Sequence, residues 1–123
     1  MNNDIAMAKE LKPNKYELET ANGTYILELD NESIMIADKM NLINSLQNMG
    51  IVEMASNIIY VFAIKNHREM TPNLASKIAN TIINEKEYDI EDLLAELIDE
   101  FLTRYKQVFI SKDKNTRKKI KKI

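Results

Sequence analysis

The chain has one histidine, His67, and no cysteine. A general base needs a substrate or nucleophile beside it, and a metal site needs more ligands than one imidazole. The absence of cysteine excludes disulfide frameworks, thiolate metal sites, iron–sulfur clusters and cysteine nucleophiles. His67 follows an apolar segment and precedes Arg68-Glu69. This position predicts a solvated histidine, or one that caps a helix C-terminus, where a positive charge is favourable.

A group of carboxylates near residue 95 is the best candidate for a metal site. Its members recur at spacings of three and four, which place them on one side of a helix: Asp92, Glu96 and either Asp99 or Glu100. Helical nucleotide pyrophosphohydrolases hold magnesium with such carboxylates, but they need a second acidic set of the EExxE kind. The sequence contains no such set, since Lys86 separates Glu85 from Glu87. A solvated face is therefore favoured over a docking surface, and both over a metal site.

The two glycines, Gly23 and Gly50, are far apart in the sequence. A loop that cradles phosphate needs several glycines, because the backbone must approach the phosphate closely and adopt positive φ. The sequence therefore excludes a P-loop and a dinucleotide fingerprint. We expect no catalytic residue, no cofactor and no enzyme activity.

The last thirteen of the 123 residues are strongly basic. They hold six lysines, one arginine and one aspartate, so this tail carries +6 and the remaining 110 residues carry −8. The basic residues of the tail are Lys112, Lys114, Arg117, Lys118, Lys119, Lys121 and Lys122. They could neutralise phosphates, but no aromatic residue is interleaved for base stacking. A flexible, solvated extension is favoured, with docking to a protein second and binding to nucleic acid third.

Seven methionines are many for this length, and four of them lie on or beside the predicted stripes of the first two helices. Methionine adapts to irregular partners, but it also fills gaps in ordinary cores. Core packing is the favoured interpretation, and binding of a partner is the alternative. The candidate partner-binding methionines are Met35, Met40, Met49 and Met54.

The elements that would position these residues begin with a hairpin. Residues 15–20 and 24–29 alternate between polar and apolar side chains, the period of two that is typical of strands. Asn22-Gly23 between them predicts a type I′ turn, because both residues tolerate positive φ. We therefore predict a β-hairpin at about 15–29, whose apolar face must pack on helices.

Four helices are predicted after the hairpin. The first runs from about 32 to 49 with Gly50 as its C′ residue, and the second is an apolar, central helix at about 51–66. The third begins at Thr71-Pro72, with threonine as the cap and proline in the first turn. Asp89 caps the fourth, which extends to about 110.

The fold class expected from these elements is mainly α within α+β. An N-terminal β-hairpin packs on a bundle of about four helices, and a basic flexible tail follows. The predicted organisation is a flexible leader at 1–14, one domain at 15–110 and the tail at 111–123. No apolar run approaches a membrane span, and the sequence begins without the apolar block of a signal peptide. A soluble, cytoplasmic protein is expected.

The order of these elements resembles a known family. The hairpin reads KYELETANGTYILEL, the apolar helix closes on Lys65-Asn66-His67, the next helix begins at Met70-Thr71-Pro72, and the last reads DIEDLLAELI. This arrangement is similar to the small tail assembly chaperones of long-tailed bacteriophages and prophages of Gram-positive bacteria. The resemblance covers about residues 15–110 and includes no catalytic motif.

The resemblance implies a protein that binds the long, helical tape measure protein, keeps it soluble and helps to recruit tail tube subunits in the bacterial host. It also implies a longer form made by ribosomal frameshifting. The pairs Lys118-Lys119 and Lys121-Lys122 could be encoded by slippery, A-rich codons, and AAG codons throughout would remove this hypothesis. Self-association is a further expectation, since hairpin edges and apolar helix faces favour it. The alternative function is a small nucleic-acid-associated regulator that uses the tail, which the acidic body disfavours.

Overall fold

The N-terminal part of the chain forms a three-stranded antiparallel sheet in the order β1-β2-β3. The computed structural model describes residues 8–12, 15–21, 23–84 and 89–110. The strands are β1 (Ala8–Lys12), β2 (Lys15–Thr20) and β3 (Gly23–Glu28), and β2 and β3 form the predicted hairpin. Strand β1 corrects the prediction of a flexible leader as far as residues 8–12 are concerned. Its mostly polar sequence has no apolar period, but backbone pairing with β2 does not need one.

The turn of the hairpin lies one residue earlier than predicted. Thr20 pairs with Gly23, so Gly23 is the first residue of β3 and not part of the turn. Gly23 has a φ of 138°, a backbone conformation that residues with a Cβ atom rarely adopt. The hydroxyl of Thr20 donates a hydrogen bond to the carbonyl of Gly23 at 3.0 Å. Asn22 lies outside the described residues.

The predicted first helix is interrupted. Helix α1 (Asn31–Lys39) ends before Asn41, which has left-handed φ and ψ of 56° and 36°, and α2 (Leu42–Ser45) and a 3₁₀ turn at Leu46–Asn48 follow. Helix α1 buries Ile34 and Ala37. In a continuous helix at 100° per residue, Leu42 would lie on the opposite side from Ala37. The break at Asn41 turns the chain so that Leu42 also enters the core.

The second helix is shorter than predicted, although its central position is confirmed. Helix α3 (Ile51–Ala63) packs against β3, against α1 and against two later helices, α4 (Pro72–Asn84) and α5 (Ile90–Tyr105). Gly50 has extended φ and ψ of −74° and 172°, so it precedes α3 and does not terminate a helix in a left-handed conformation. Residues 64–66 leave α3 in a turn, in which the N–H of His67 donates to the carbonyl of Ala63 at 2.9 Å.

The last two helices begin where the sequence predicts. Helix α4 (Pro72–Asn84) is capped by Thr71, whose Oγ1 accepts from the N–H of Leu74 at 3.1 Å. Helix α5 (Ile90–Tyr105) is capped by Asp89, whose side chain accepts from two backbone N–H groups. Residues Lys106–Ile110 continue it as a π-helical turn.

The core lies between one face of the sheet and the helices. Strands β2 and β3 contribute Leu18 and Leu27, α3 contributes Phe62, and α5 contributes Leu97 and Phe101, all fully buried. Two tyrosines also connect α5 to the rest of the domain, because the hydroxyls of Tyr16 and Tyr105 donate to Glu100 and Asp38 at 2.7 Å. The mainly α fold with a hairpin packed on helices is thus confirmed. Within the described residues, no helix has both the length and the apolar character needed to cross a membrane.

Candidate functional site

The four candidate methionines do not share one exposed face. Met35 is 47% exposed, because α1 buries Ile34 and Ala37 and leaves Met35 on the solvent side. The other three are partly buried and pack against the core: Met40, Met49 and Met54. The sulfur of Met49 also accepts from the amide of Asn57 at 3.6 Å. Met35 is therefore the methionine of this set that offers most of its side chain to a partner.

Ile51 is the second exposed large apolar residue of the described chain. It lies at the first position of α3 and is 40% exposed. Met54 is one turn further along the same helix and is half-buried. Flexible thioethers beside an exposed branched side chain can pack against an apolar stripe of another helix.

His67 holds the edge of the sheet. Its Nε2 accepts a hydrogen bond from the backbone N–H of Ile26 at 2.8 Å, and its ring lies edge-on to Tyr25 at 5.2 Å between centroids. The side chain is 18% exposed, and Nδ1 lies 3.7 Å from the carboxylate of Glu69. The predicted solvated or helix-capping role is therefore wrong. Because Nε2 accepts from the backbone N–H of Ile26, the imidazole joins the segment between α3 and α4 to β3.

The two residues before His67 bind the same strand. Nζ of Lys65 lies 2.9 Å from the carboxylate of Glu28, and the amide of Asn66 donates to that carboxylate at 3.2 Å. Lys15, the cross-strand neighbour of Glu28, lies 3.7 Å away. Burial raises the pKa of Glu28, but the hydrogen bonds from Lys65 and Asn66 and the charges of both lysines outweigh it and hold that pKa below its ordinary value. The segment Lys65-Asn66-His67 is thus a clamp on β3.

The acidic side of α5 borders a polar groove of about 590 Å³. Its lining comes from α5, from the π-helical turn and from one tyrosine of β2: Tyr16, Glu96, Asp99, Glu100, Thr103, Arg104 and Gln107. Asp92, Glu96 and Asp99 are exposed, in agreement with a solvated face. Within the described residues, no group of three or more potential ligands is placed to hold a metal ion.

A second groove lies between α1 and the end of α3, and we call it the α1–α3 groove. It has a volume of about 160 Å³ and is lined by residues of α1, α3 and the segment before α4: Glu32, Ser33, Ile36, Tyr60, Ile64, Lys65, Arg68 and Met70. Four of these residues are apolar, and the carboxylate of Glu32 lies 3.6 Å from the guanidinium of Arg68.

The α1–α3 groove was not predicted from the sequence. A signal was present, since at 100° per residue Tyr60 lies on the side of α3 away from the buried Phe62, one turn before Ile64. This signal was not distinctive, because apolar residues on nearly all sides of the helix were already explained by its predicted central position.

The basic tail was the other predicted partner-binding segment. Its candidate partner-binding residues, from Lys112 to Lys122, lie outside the described residues. The described chain ends at the π-helical turn that borders the polar groove. No known protein family, curated protein or solved structure matches this chain.

Proposed function

We propose that this protein is a non-enzymatic tail assembly chaperone. It binds the tape measure protein of a long-tailed phage in the bacterial cytoplasm and keeps it soluble until the tail tube assembles around it. Tail tube subunits are a second proposed partner.

The order of the elements supports this proposal most. The resemblance implies a hairpin, an apolar helix closing on Lys65-Asn66-His67, a helix start at Thr71-Pro72 and an acid-capped last helix. The described chain has these elements in that order, with α3 at the centre.

The exposed apolar side chains provide the second support. A long helical client presents apolar stripes that aggregate when they are left in water. Met35 and Ile51 are exposed at 47% and 40%, and both lie on helices next to half-buried methionines. Such side chains can cover an apolar stripe without a rigid complementary surface.

Co-expression tests the proposal. The full chain is expressed with the tape measure protein encoded beside it, and the soluble fraction and co-purification of that protein are measured. We expect the tape measure protein to be soluble with this chain, insoluble without it, and to elute with it. If it stays insoluble, or is soluble alone and never co-elutes, the proposal is wrong.

A pair of surface variants tests whether the exposed methionine takes part. Met35→Glu places a charge on the exposed side of α1, and Asn80→Glu places the same charge on an exposed position of α4. We expect Met35→Glu to reduce co-purification and Asn80→Glu to leave it unchanged. Equal recovery with both variants would remove Met35 from the binding surface.

A further inference from the structure

We infer that the α1–α3 groove seats one large apolar side chain from a helical segment of the client, and that Arg68 pairs with a client carboxylate one turn away. This inference rests on the proposed function and adds the chemistry of the segment that is recognised. It would give the client motif an apolar anchor and an acidic residue separated by three or four positions.

The size of the groove fits a single side chain. Its volume of about 160 Å³ is well below the roughly 300–1,000 Å³ of pockets for small molecules and cofactors. An apolar space of about 150 Å³ holds one benzene ring. The partly exposed side chains of Ile36 and Tyr60 supply most of the apolar surface, beside the buried Ile64 and Met70. A leucine, methionine or phenylalanine side chain therefore matches both the size and the lining.

The charges at the groove favour an acidic neighbour for that side chain. The side chain of Arg68 is 72% exposed, and its guanidinium lies 3.6 Å from Glu32, which is 61% exposed. Charge-assisted hydrogen bonds are shorter, at about 2.7–2.9 Å. Lys65 is held more tightly, at 2.9 Å from Glu28. Arg68 is thus the lining cation that can turn toward a partner at little cost.

A helical client brings the two groups together. Residues three or four apart on a helix lie about 5–6 Å from each other, so an anchor in the groove places a carboxylate beside its rim. Helices bound in apolar grooves use anchors with this spacing. The net charge of −8 on the first 110 residues repels acidic partners elsewhere, so a carboxylate is favoured only where Arg68 can turn from Glu32 to meet it.

The test uses the full chain and overlapping peptides that cover the tape measure protein. The tightest peptide is measured by fluorescence anisotropy against wild type, Arg68→Glu and Ile36→Asp. Lys77→Glu, on an exposed position of α4, is the matched charge control. Arg68→Glu tests the inference even if Ile36→Asp does not fold, because Arg68 is largely exposed.

We expect Arg68→Glu to weaken binding about tenfold and Lys77→Glu to change it by less than about twofold. Replacing the acidic residue of the peptide with lysine should restore binding to Arg68→Glu. Equal affinities of the two variants, or a tightest peptide without an acidic residue, would overturn the inference while the proposed function stands.

Two other outcomes identify different occupants. A wild-type dimer in sedimentation that Arg68→Glu dissociates would assign the groove to a second copy and overturn the inference. If wild type binds no peptide and retains no tape measure protein on co-expression, the proposed function fails and the inference fails with it.

Discussion

Replacing His67 with alanine removes the acceptor that holds the N–H of Ile26. That hydrogen bond is 2.8 Å long and part-buried. A buried donor that loses its acceptor costs about 1–3 kcal/mol. The edge-on contact with the ring of Tyr25, at 5.2 Å, contributes about 0.5–1.5 kcal/mol more. The two contributions sum to about 1.5–4.5 kcal/mol, and because the bond is only part-buried we expect His67→Ala to lower the free energy of unfolding by about 2–3 kcal/mol.

Urea denaturation followed by circular dichroism measures this loss. Thermal denaturation provides a second measurement. With an unfolding entropy of about 2.1 cal/mol/K per residue, each kcal/mol lowers the Tm of a chain of this length by about 4 °C, so we expect a fall of about 8–12 °C. Amide hydrogen exchange provides the local measurement, in which the N–H of Ile26 should exchange at least about tenfold faster.

Two variants separate the hydrogen bond from other effects of the substitution. Glutamine can place an amide oxygen near the position of Nε2, so His67→Gln should recover part of the loss. Glu69 is 70% exposed and lies 3.7 Å from Nδ1, so Glu69→Gln should change stability by less than about 0.5 kcal/mol. If His67→Ala costs no more than Glu69→Gln and Ile26 exchanges at the wild-type rate, the clamp contributes nothing.

Three further substitutions test other parts of the fold. The lowered pKa of Glu28 means that its ion pairs stabilise the protein above the ordinary value of 4.5 and that this contribution is lost as the pH falls through the folded-state pKa. Glu28→Gln should therefore cost roughly 0.5–1 kcal/mol at neutral pH, and a difference from wild type that does not shrink in urea titrations at acidic pH would contradict this. Asn41 has left-handed φ and ψ of 56° and 36°, so Asn41→Ala should lower the free energy of unfolding by about 1 kcal/mol and Asn41→Gly by less, as measured by thermal denaturation. Equal losses in the two variants would show that this backbone conformation carries no strain. Thr71→Ala removes the acceptor for the N–H of Leu74 and should lower the free energy of unfolding by about 1 kcal/mol, whereas Thr71→Ser keeps a hydroxyl acceptor and should retain the stability. Chemical denaturation measures the difference, and equal stabilities of the two variants would show that the cap is dispensable.

Local signals in the sequence predicted most of the secondary structure. A capping residue acts within its own turn, so Thr71 and Asp89 marked the starts of α4 and α5 without tertiary information. The alternation in β2 and β3 similarly predicted the hairpin. These features depend on neighbours that the sequence itself supplies.

The predictions that were wrong or missing concern features that are determined by contacts between distant parts of the chain. Met35, Ile36 and Met40 suggested one apolar stripe, but the structure buries Ile34 and Ala37, and the left-handed Asn41 then redirects the chain. The α1–α3 groove depends on how α1 lies against α3, and His67 on where its turn meets β3. No spacing within one element encodes such positions.

The clamp on β3 also determines which way the sheet can grow. An extra strand pairing with this edge would have to displace the imidazole from the N–H of Ile26, beside the bonds from Lys65 and Asn66 to Glu28. Unprotected edges act as templates for intermolecular pairing and amyloid. The clamp thus closes one route by which this chain could itself be recruited into an aggregate.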